Sequence, residues 1–265
     1  MHVTLYYLYH SGFALCFDDC TVVCDYFEDS RGQEEGIFHD AILKRPVPLY
    51  VLATHFHPDH FSGAIFSFLK EQPDTHYLLS RDIYKRRRNL LPAVASAQIA
   101  FLKEGESLDT PYFKVKAFGS TDSGVSFLLQ KDGHSFFHAG DLNNWYWSEQ
   151  DNTHDAKGCA GKTLSFEDAA YCRTMEEKFL TIVHAIKAEA HGLDVVCFPV
   201  DPRLGGEFLR GPTQFVGMIP CTYFVPMHFR DLYGTATPFK GIAESTGARF
   251  VDIQSRGQAF ELDLG

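Results

Sequence analysis

The sequence contains no apolar run of about eighteen residues, the length that a membrane-spanning helix needs. Its first residues lack the basic stretch and the small-residue cleavage site of a secretion signal. Basic residues are few as well, because 24 Lys and Arg stand against 34 Asp and Glu, for a net charge of −10. An acidic surface repels the phosphates of nucleic acids. These absences predict a protein that is not inserted in a membrane and does not bind nucleic acid.

Cysteine is too sparse for a disulfide framework, since seven residues, an odd number, are scattered over 265 positions. Cys16, Cys20 and Cys24 form the one suggestive cluster. Their wide spacing across a predicted hairpin favours buried thiols over a zinc site, which remains the alternative. Scattered cysteines of this kind are typical of a reducing compartment. We therefore expect a cytoplasmic protein.

Short apolar and β-branched runs, separated by turn signals, dominate the first 140 residues and predict β-strands. The predicted strands are Thr4–Leu8, Phe13–Phe17, Thr21–Cys24, Leu49–Ala53, Tyr77–Leu79, Phe113–Phe118, Val125–Leu129 and Ser135–His138. Two predicted helices lie among them, Gly36–Lys44 and Phe61–Glu71.

A long helix is predicted at Phe166–His191, where apolar residues recur near helical spacing. The elements predicted after it are the strands Val195–Val200, Tyr223–Pro226, Arg249–Ile253 and Gln258–Leu262 and the helices Pro212–Ile219 and Phe239–Ser245. Strands first and a mixture of strands and helices later indicate two sheets covered by outer helices. We expect one domain over residues 1–265, with a polar insertion loop near 148–164.

The densest group of candidate metal ligands lies between a predicted strand and a predicted helix, in the segment His55-Phe56-His57-Pro58-Asp59-His60. Pro58 disfavours helical geometry at His57, so His55 and His57 lie on extended backbone and can point the same way. Imidazole and carboxylate groups suit zinc, iron or manganese, and donors this close together predict the beginning of two adjacent metal sites. The competing interpretations are a surface histidine cluster and Asp59 as the N-cap of the next helix.

This segment resembles the His-x-His-x-Asp-His signature of the metallo-β-lactamase superfamily. The resemblance extends to Asp25 at a strand end, to the Gly140-Asp141 pair and to a late histidine, His228. It implies an α+β fold, namely a four-layer αββα sandwich of the metallo-β-lactamase type with metal ions at one edge of the two sheets.

The resemblance also implies the metal ligands, which are His55, His57, Asp59, His60, Asp122, Asp141 and His228, with Asp141 between two ions. Asp122 enters because the segment Gly119–Gly124 lacks the histidine that the superfamily usually supplies to the first site. His138 is the second candidate for that place, and a turn-capping role for Asp122 is the alternative. We expect one or two divalent metal ions, zinc in the first place, with manganese or iron as alternatives.

The opening segment His10–Phe13 resembles the branch of the superfamily that contains ascorbate-phosphate lactonase-like proteins. The implied reaction is hydrolysis of a small anionic ester or lactone by a metal-activated water, which Asp59 would hold and orient as the catalytic residue. Candidate substrate contacts are His10, Trp145 and Arg203. The competing interpretations are core packing for Trp145 and a structural ion pair for Arg203.

Two other functions remain open on the sequence alone. A phosphodiesterase acting on lipids or nucleic acids can use the same metal arrangement, but the one basic run, Lys85–Arg88, favours a solvated surface over a nucleic-acid site. The other alternative is a non-hydrolytic metal-binding or redox protein. We expect a small anionic substrate and no nucleic-acid partner, and a homo-oligomer remains possible.

Overall fold

Two mixed β-sheets of seven strands each form the centre of the computed structural model, which describes residues 1–147 and 166–265. The strands of the first sheet are β1 (His2–Tyr9), β2 (Gly12–Cys16), β3 (Thr21–Cys24), β4 (Leu49–Ala53), β5 (Thr75–Ser80), β6 (Ile99–Leu102) and, at the outer edge beside β1, β14 (Ala259–Asp263). Pairing is antiparallel from β14 to β3 and parallel from β3 to β6.

The second sheet repeats this arrangement. Its strands, from one edge to the other, are β7 (Ser107–Asp109), β8 (Lys114–Phe118), β9 (Ser126–Lys131), β10 (His134–His138), β11 (Leu193–Pro199), β12 (Cys221–Met227) and β13 (Arg249–Phe250). Pairing is antiparallel from β7 to β10 and parallel from β10 to β13. Each sheet therefore changes from antiparallel to parallel pairing partway across.

Side chains along each strand alternate between the two faces of the sheet, and apolar residues occur on both faces. In β1, Val3, Leu5 and Tyr7 join the large cluster shared with the second sheet, whereas Leu8 joins a smaller cluster on the outer face. Successive side chains of a strand point to opposite faces, so a strand that is apolar on both faces needs two packing partners. The first sheet therefore packs on the second sheet with one face and on helical segments with the other.

Helical segments cover the outer faces of both sheets. Phe38–Ile42, the 3₁₀ helix Gly63–Lys70 and α1 (Arg81–Arg86) cover the first sheet, and α2 (Phe166–Glu189), α3 (Arg210–Met218) and α4 (Lys240–Ser245) cover the second. Further 3₁₀ turns are Arg88–Leu90, Ala93–Gln98, Pro202–Glu207 and Thr237–Phe239. The Phe215 ring of α3 packs 4.7 Å from Phe198 and 5.5 Å from Phe137. The result is the predicted α+β sandwich with four layers, αββα.

The predicted elements agree with the structure except at a few places. The predicted helix Phe61–Glu71 is the 3₁₀ helix Gly63–Lys70, and the predicted helix Gly36–Lys44 is the short π-helical segment Phe38–Ile42. The predicted strand Arg249–Ile253 ends at Phe250, and the sequence did not predict β6, β7 or α1. The predicted insertion loop near 148–164 lies outside the described residues. Among the described helices, none is long and apolar enough to cross a membrane.

Candidate metal centre

The two sheets meet closely at the end of β4, and two glycines make this approach possible. A Cβ on Gly140 would lie 2.7 Å from Thr54 Oγ1, and a Cβ on Gly124 would lie 2.0 Å from the Thr54 carbonyl oxygen. Both glycines have positive φ, +54° and +67°, which residues with a side chain rarely adopt. Thr54 and His55 follow β4, and Gly140 follows β10. The close approach of Gly140 to Thr54 therefore brings the segments after these two strands together at one edge of the sandwich.

The first cluster of candidate ligands contains His55, His57, Asp122 and Asp141, whose ligand atoms all lie within 4.8 Å of one another. The His57 Nδ1 atom lies 3.1 Å from Asp122 Oδ2 and 3.0 Å from His55 Nε2. His55 Nε2 lies 3.5 Å from Asp141 Oδ2. The structure thus brings Asp122 together with His55 and His57, and its role as a metal ligand stays a prediction.

The second cluster contains His10, Asp59, His60 and His228, again with ligand atoms within 4.8 Å of one another. Asp141 lies beside this cluster too, since its Oδ1 atom is 3.1 Å from His60 Nε2 and 3.2 Å from His228 Nε2. The two oxygens of one carboxylate therefore face different clusters. This is the arrangement that a carboxylate between two cations requires.

Several buried atoms at the centre lack hydrogen-bond partners within the described residues. They are Nδ1 and Nε2 of His10, Nε2 of His60, Nε2 of His228 and Oδ1 of Asp141. An unpaired buried polar atom costs about 1–3 kcal/mol, so a group of five needs an explanation. A divalent cation would satisfy nitrogen lone pairs and carboxylate oxygens together. The residues present fit one or two such ions.

Asp25 orients two of the histidines from behind. This buried carboxylate accepts hydrogen bonds from Thr54 N–H, from the Thr54 hydroxyl and from His60 Nδ1–H, each at 2.7 Å. Because the Thr54 hydroxyl donates to Asp25, it accepts from His55 Nδ1–H at 3.0 Å. Both histidines therefore carry a proton on Nδ1 and direct Nε2 towards the clusters, the orientation that metal-binding histidines have.

Asp201 plays the same part for His228, a role that no sequence pattern predicted. Its Oδ2 atom accepts a hydrogen bond from His228 Nδ1–H at 2.9 Å. Arg203, predicted to contact substrate, donates from Nε to both oxygens of Asp201 and from Nη2 to Oδ2 at 2.6 Å. The competing interpretation of Arg203 as part of a structural ion pair therefore matches the structure, although its side chain remains 43% exposed.

The remaining predicted substrate contacts are next to the clusters. His10 is buried, and its ring lies 4.2 Å from the ring of His228, so it lies among the candidate ligands. The Trp145 indole N–H donates to the Asp141 carbonyl oxygen at 3.1 Å, and its ring lies 5.8 Å from that of His228. Trp145 is partly buried and lies next to the second cluster, and its contact with substrate stays a prediction.

The pKa values of the residues at the centre make cation binding depend on pH. Burial would raise the pKa of Asp141, but His228 and His60 hold it well below its usual range. Burial and the neighbouring His60 lower the pKa of His55 to about 3. Burial opposes protonation of His228 as well, yet Asp141 and Asp201 raise its pKa to about 9. A cation that binds His228 must displace its second ring proton, so metal affinity rises as the pH increases towards about 9.

Asp122 and His138, the two candidates for the gap in the first site, differ in what they contact. His138 is buried, its Nε2–H donates to the Ser11 carbonyl oxygen at 2.9 Å, and its Nδ1 accepts from Gly140 N–H at 3.2 Å. Both nitrogens are therefore engaged away from the first cluster, whereas Asp122 lies inside it.

We expect Asp122→Ala to weaken binding of one metal equivalent and to spare the other, since the second cluster does not contain Asp122. His138→Ala should keep both equivalents and lower the melting temperature, because it removes two buried hydrogen bonds. Mass-spectrometric metal analysis after dialysis, together with thermal unfolding, measures both effects. Loss of metal from His138→Ala but not from Asp122→Ala would show that the assignment is wrong.

Several solved structures with a similar fold are metalloproteins or metallo-beta-lactamase fold proteins. Igni18, a novel metallo hydrolase from the archaeon Ignicoccus hospitalis, has a TM-score of 0.65 and 16% identity, with 100% of both chains covered. YhfI from Bacillus subtilis, a metallo-beta-lactamase fold protein, has a TM-score of 0.59 and 10% identity over 98% of this chain and 99% of that one. CmlA from Streptomyces venezuelae, a diiron beta-hydroxylase, has a TM-score of 0.65 and 13% identity over 99% of this chain and 54% of that one.

No protein-family model and no curated protein matches this sequence. At such low identities the structural likeness concerns the fold alone. The chain has the metallo-β-lactamase fold, as the segment His55–His60 led us to expect.

Proposed function

We propose that this protein is a metal-dependent hydrolase that cleaves a small anionic ester or lactone. The observation that carries the proposal is the pair of donor clusters with Asp141 between them. The clusters are reachable from solvent, because the side chains of His57, Asp59 and Asp122 are 35%, 25% and 40% exposed. The likeness of His10–Phe13 to ascorbate-phosphate lactonase-like proteins supports this substrate class.

The proposed cofactor is one or two divalent ions held by the first cluster, by the second cluster and by Asp141 between them. Such ions supply a Lewis acid that activates water and stabilises negative charge in the transition state. Zinc is our first expectation. The two carboxylates of the first cluster, Asp122 and Asp141, also suit the harder ions manganese and iron.

Asp59 is the proposed catalytic residue. Burial would raise the pKa of its carboxyl group, but His10 and His60 hold that pKa well below the usual range. The carboxylate is therefore ionised at neutral pH and can accept a hydrogen bond from a water molecule through its exposed edge. Asp59 thereby orients the attacking water, and His10, at 3.4 Å from Asp59 Oδ2, limits the movement of the carboxylate.

The rim of the centre suits a compact substrate. Trp145 supplies a partly buried apolar wall beside His228, where a short acyl or sugar group can pack. The net charge of −10 opposes docking of a long polyanion, which needs many phosphate contacts from Lys and Arg. A small anion needs a single charged contact, so the overall charge is no obstacle to it.

Phosphodiester hydrolysis is the second candidate, favoured by the position of the basic run. The guanidinium groups of Arg86 and Arg87 lie 5.8 and 5.7 Å from the Phe56 ring, and Arg87 Nε donates to the Phe56 carbonyl oxygen at 3.1 Å. Because Phe56 lies between His55 and His57 in the chain, these cations lie near the segment that carries two residues of the first cluster. They could neutralise phosphates that flank a scissile bond.

Rates on a substrate panel decide between these functions. We expect the metal-loaded protein to hydrolyse lactones or small anionic esters with kcat/KM at least about tenfold above that for phosphodiesters and single-stranded RNA. Metal content and ionic strength are held equal across the panel, and Asp59→Asn is the control for contaminating activity. Efficient RNA cleavage with steep salt dependence and inert esters would favour the phosphodiesterase. A fully metal-loaded protein that hydrolyses no member would favour the non-hydrolytic redox alternative.

A further inference from the structure

Arg230 places an exposed guanidinium group at the rim of the second cluster. It follows His228 closely in the chain, and its Nη2 atom lies 3.8 Å from Asp59 Oδ2. Its side chain is 61% exposed. Within the residues that the structure describes, this is the one ion pair of the group, and it is too long for a hydrogen bond. The donors of Arg230 are therefore available to a ligand that reaches Asp59.

Arg203, a second arginine next to the second cluster, is engaged differently. Arg203 directs its guanidinium at Asp201, with hydrogen bonds of 2.6–3.0 Å. If Arg203 turned to a substrate, the buried Asp201 carboxylate would lose the positive charge and the hydrogen bonds that stabilise it. Asp201 also accepts the hydrogen bond that orients His228. Arg203 therefore positions a candidate metal ligand, and of the two arginines next to the second cluster it is Arg230 that can accept an anion without such a loss.

The backbone holds Arg230 in place through unusual geometry. Arg230 and His228 have φ values of +52° and +71°, which are unfavourable for residues other than glycine. Two hydrogen bonds support them, one from the buried Tyr7 hydroxyl to the Arg230 carbonyl oxygen at 3.2 Å and one from His228 N–H to the His10 carbonyl oxygen at 3.1 Å. The Cα of Arg230 is thus held by the core although its side chain extends into solvent.

We propose that Arg230 binds the oxyanion group of the substrate, a carboxylate or a phosphate, while the scissile bond lies at the metal centre. A guanidinium group offers two parallel donors that match such an anion in charge and shape. This inference rests on the proposed function, because it names the residue that recognises the negatively charged group of the proposed substrate. It predicts that Arg230 controls the discrimination between anionic and neutral esters.

The first test measures equilibrium binding of inorganic phosphate to the metal-loaded protein by calorimetry. Arg230→Ala should bind phosphate at least about tenfold more weakly than the natural protein. The affinity of Arg230→Lys should lie between these two, because lysine keeps the positive charge but lacks the two parallel N–H donors of the guanidinium group. Arg31→Ala is the matched control, since Arg31 is 62% exposed and pairs with Asp40, which belongs to neither cluster. All variants should keep the same metal content. Unchanged phosphate affinity, absence of phosphate binding by the natural protein, or loss of metal from Arg230→Ala would each overturn the proposal.

The second test compares 4-nitrophenyl acetate, which is neutral, with mono-4-nitrophenyl succinate, which carries a carboxylate. Arg230→Ala should raise KM for the succinate at least about tenfold and change KM for the acetate less than about twofold. An equal loss on both esters would overturn the proposal. If the natural protein cleaves neither ester while phosphate binding still depends on Arg230, the proposed function fails and the role of Arg230 stands. If the natural protein cleaves the esters and Arg230→Ala leaves the phosphate affinity unchanged, the proposed function stands and the proposed role of Arg230 fails.

Discussion

Asp141→Asn is expected to remove both metal ions and to abolish hydrolysis. The Oδ1 atom of Asp141 faces His60 and His228, and its Oδ2 atom faces His55. An asparagine has the same shape but presents an N–H₂ donor to one of the two clusters and no negative charge to either. Removing even an outer partner of a ligand lowers metal affinity 10–100-fold, so loss of a shared ligand should exceed roughly 100-fold.

Mass-spectrometric metal analysis and competition with a chelator measure this effect. The natural protein should carry between about one and two transition-metal equivalents that chelators remove, as two clusters of N and O donors predict. Asp122→Asn is the matched control, because Asp122 belongs to one cluster and its loss should affect one equivalent. If Asp141→Asn kept one ion at full affinity, Asp141 would belong to a single site. A natural protein that takes up no zinc, manganese or iron would contradict the whole metal-centre assignment.

Asp25→Asn is expected to lower the free energy of unfolding of the metal-free protein by about 3 kcal/mol, because it disturbs two buried hydrogen bonds to a charged acceptor, those from the Thr54 hydroxyl and from His60. For a chain of this size that corresponds to a melting temperature roughly 6–12 °C lower. Asparagine tolerates the positive φ of +47° at this position, so the change tests the carboxylate and not the backbone.

The same substitution should reverse the proton position on His60. The Thr54 N–H group always donates, so the amide oxygen must take the Oδ1 place and the amide N–H₂ group must face His60 Nδ1. The His60 proton then moves to Nε2, the atom that faces the clusters, and metal affinity falls roughly 10–100-fold. Chelator competition reports the affinity, and ¹⁵N chemical shifts of the imidazole ring report the proton position.

Asp29→Asn is the matched control for this prediction. Asp29 is also fully buried and accepts hydrogen bonds from Ser30 N–H, Phe38 N–H and the His39 ring, but it belongs to neither cluster. It should lower the melting temperature without changing metal affinity. If Asp25→Asn and Asp29→Asn reduced metal affinity equally, the effect would come from general destabilisation, and the positioning role of Asp25 would be wrong.

Local patterns were sufficient for most of the fold. The bounds of β3 and β4 agree with the prediction, because both are short apolar runs between clear turn signals. The strands β6 and β7 were missed, since Ile99–Leu102 and Ser107–Asp109 are short edge segments with partly exposed residues. The segment after His60 has helical periodicity but forms a 3₁₀ helix, which hydrophobic spacing over so few residues does not separate from an α-helix.

Backbone strain marks the centre in a way that no sequence pattern reveals. Apart from Asp132 in a hairpin turn, the described non-glycine residues with positive φ are His10, Asp25, His228 and Arg230. Each contributes to a cluster, supports one or borders one. Such conformations persist only where surrounding contacts hold them, and those contacts come from distant parts of the chain.

A local sequence pattern was sufficient to predict a metal centre, whereas the full set of residues at that centre depends on tertiary packing. Closely spaced donors in His55–His60 indicate metal binding because covalent connectivity alone keeps them near one another. Nothing local places His10 beside His228 or Asp201 behind it, and nothing local commits Arg203 to Asp201 and leaves Arg230 exposed. Those relations arise because two sheets, formed from both halves of the chain, pack face to face and bring the ends of β4, β10 and β12 to one edge. Packing of long-range elements depends on the whole core, so a single motif cannot specify it.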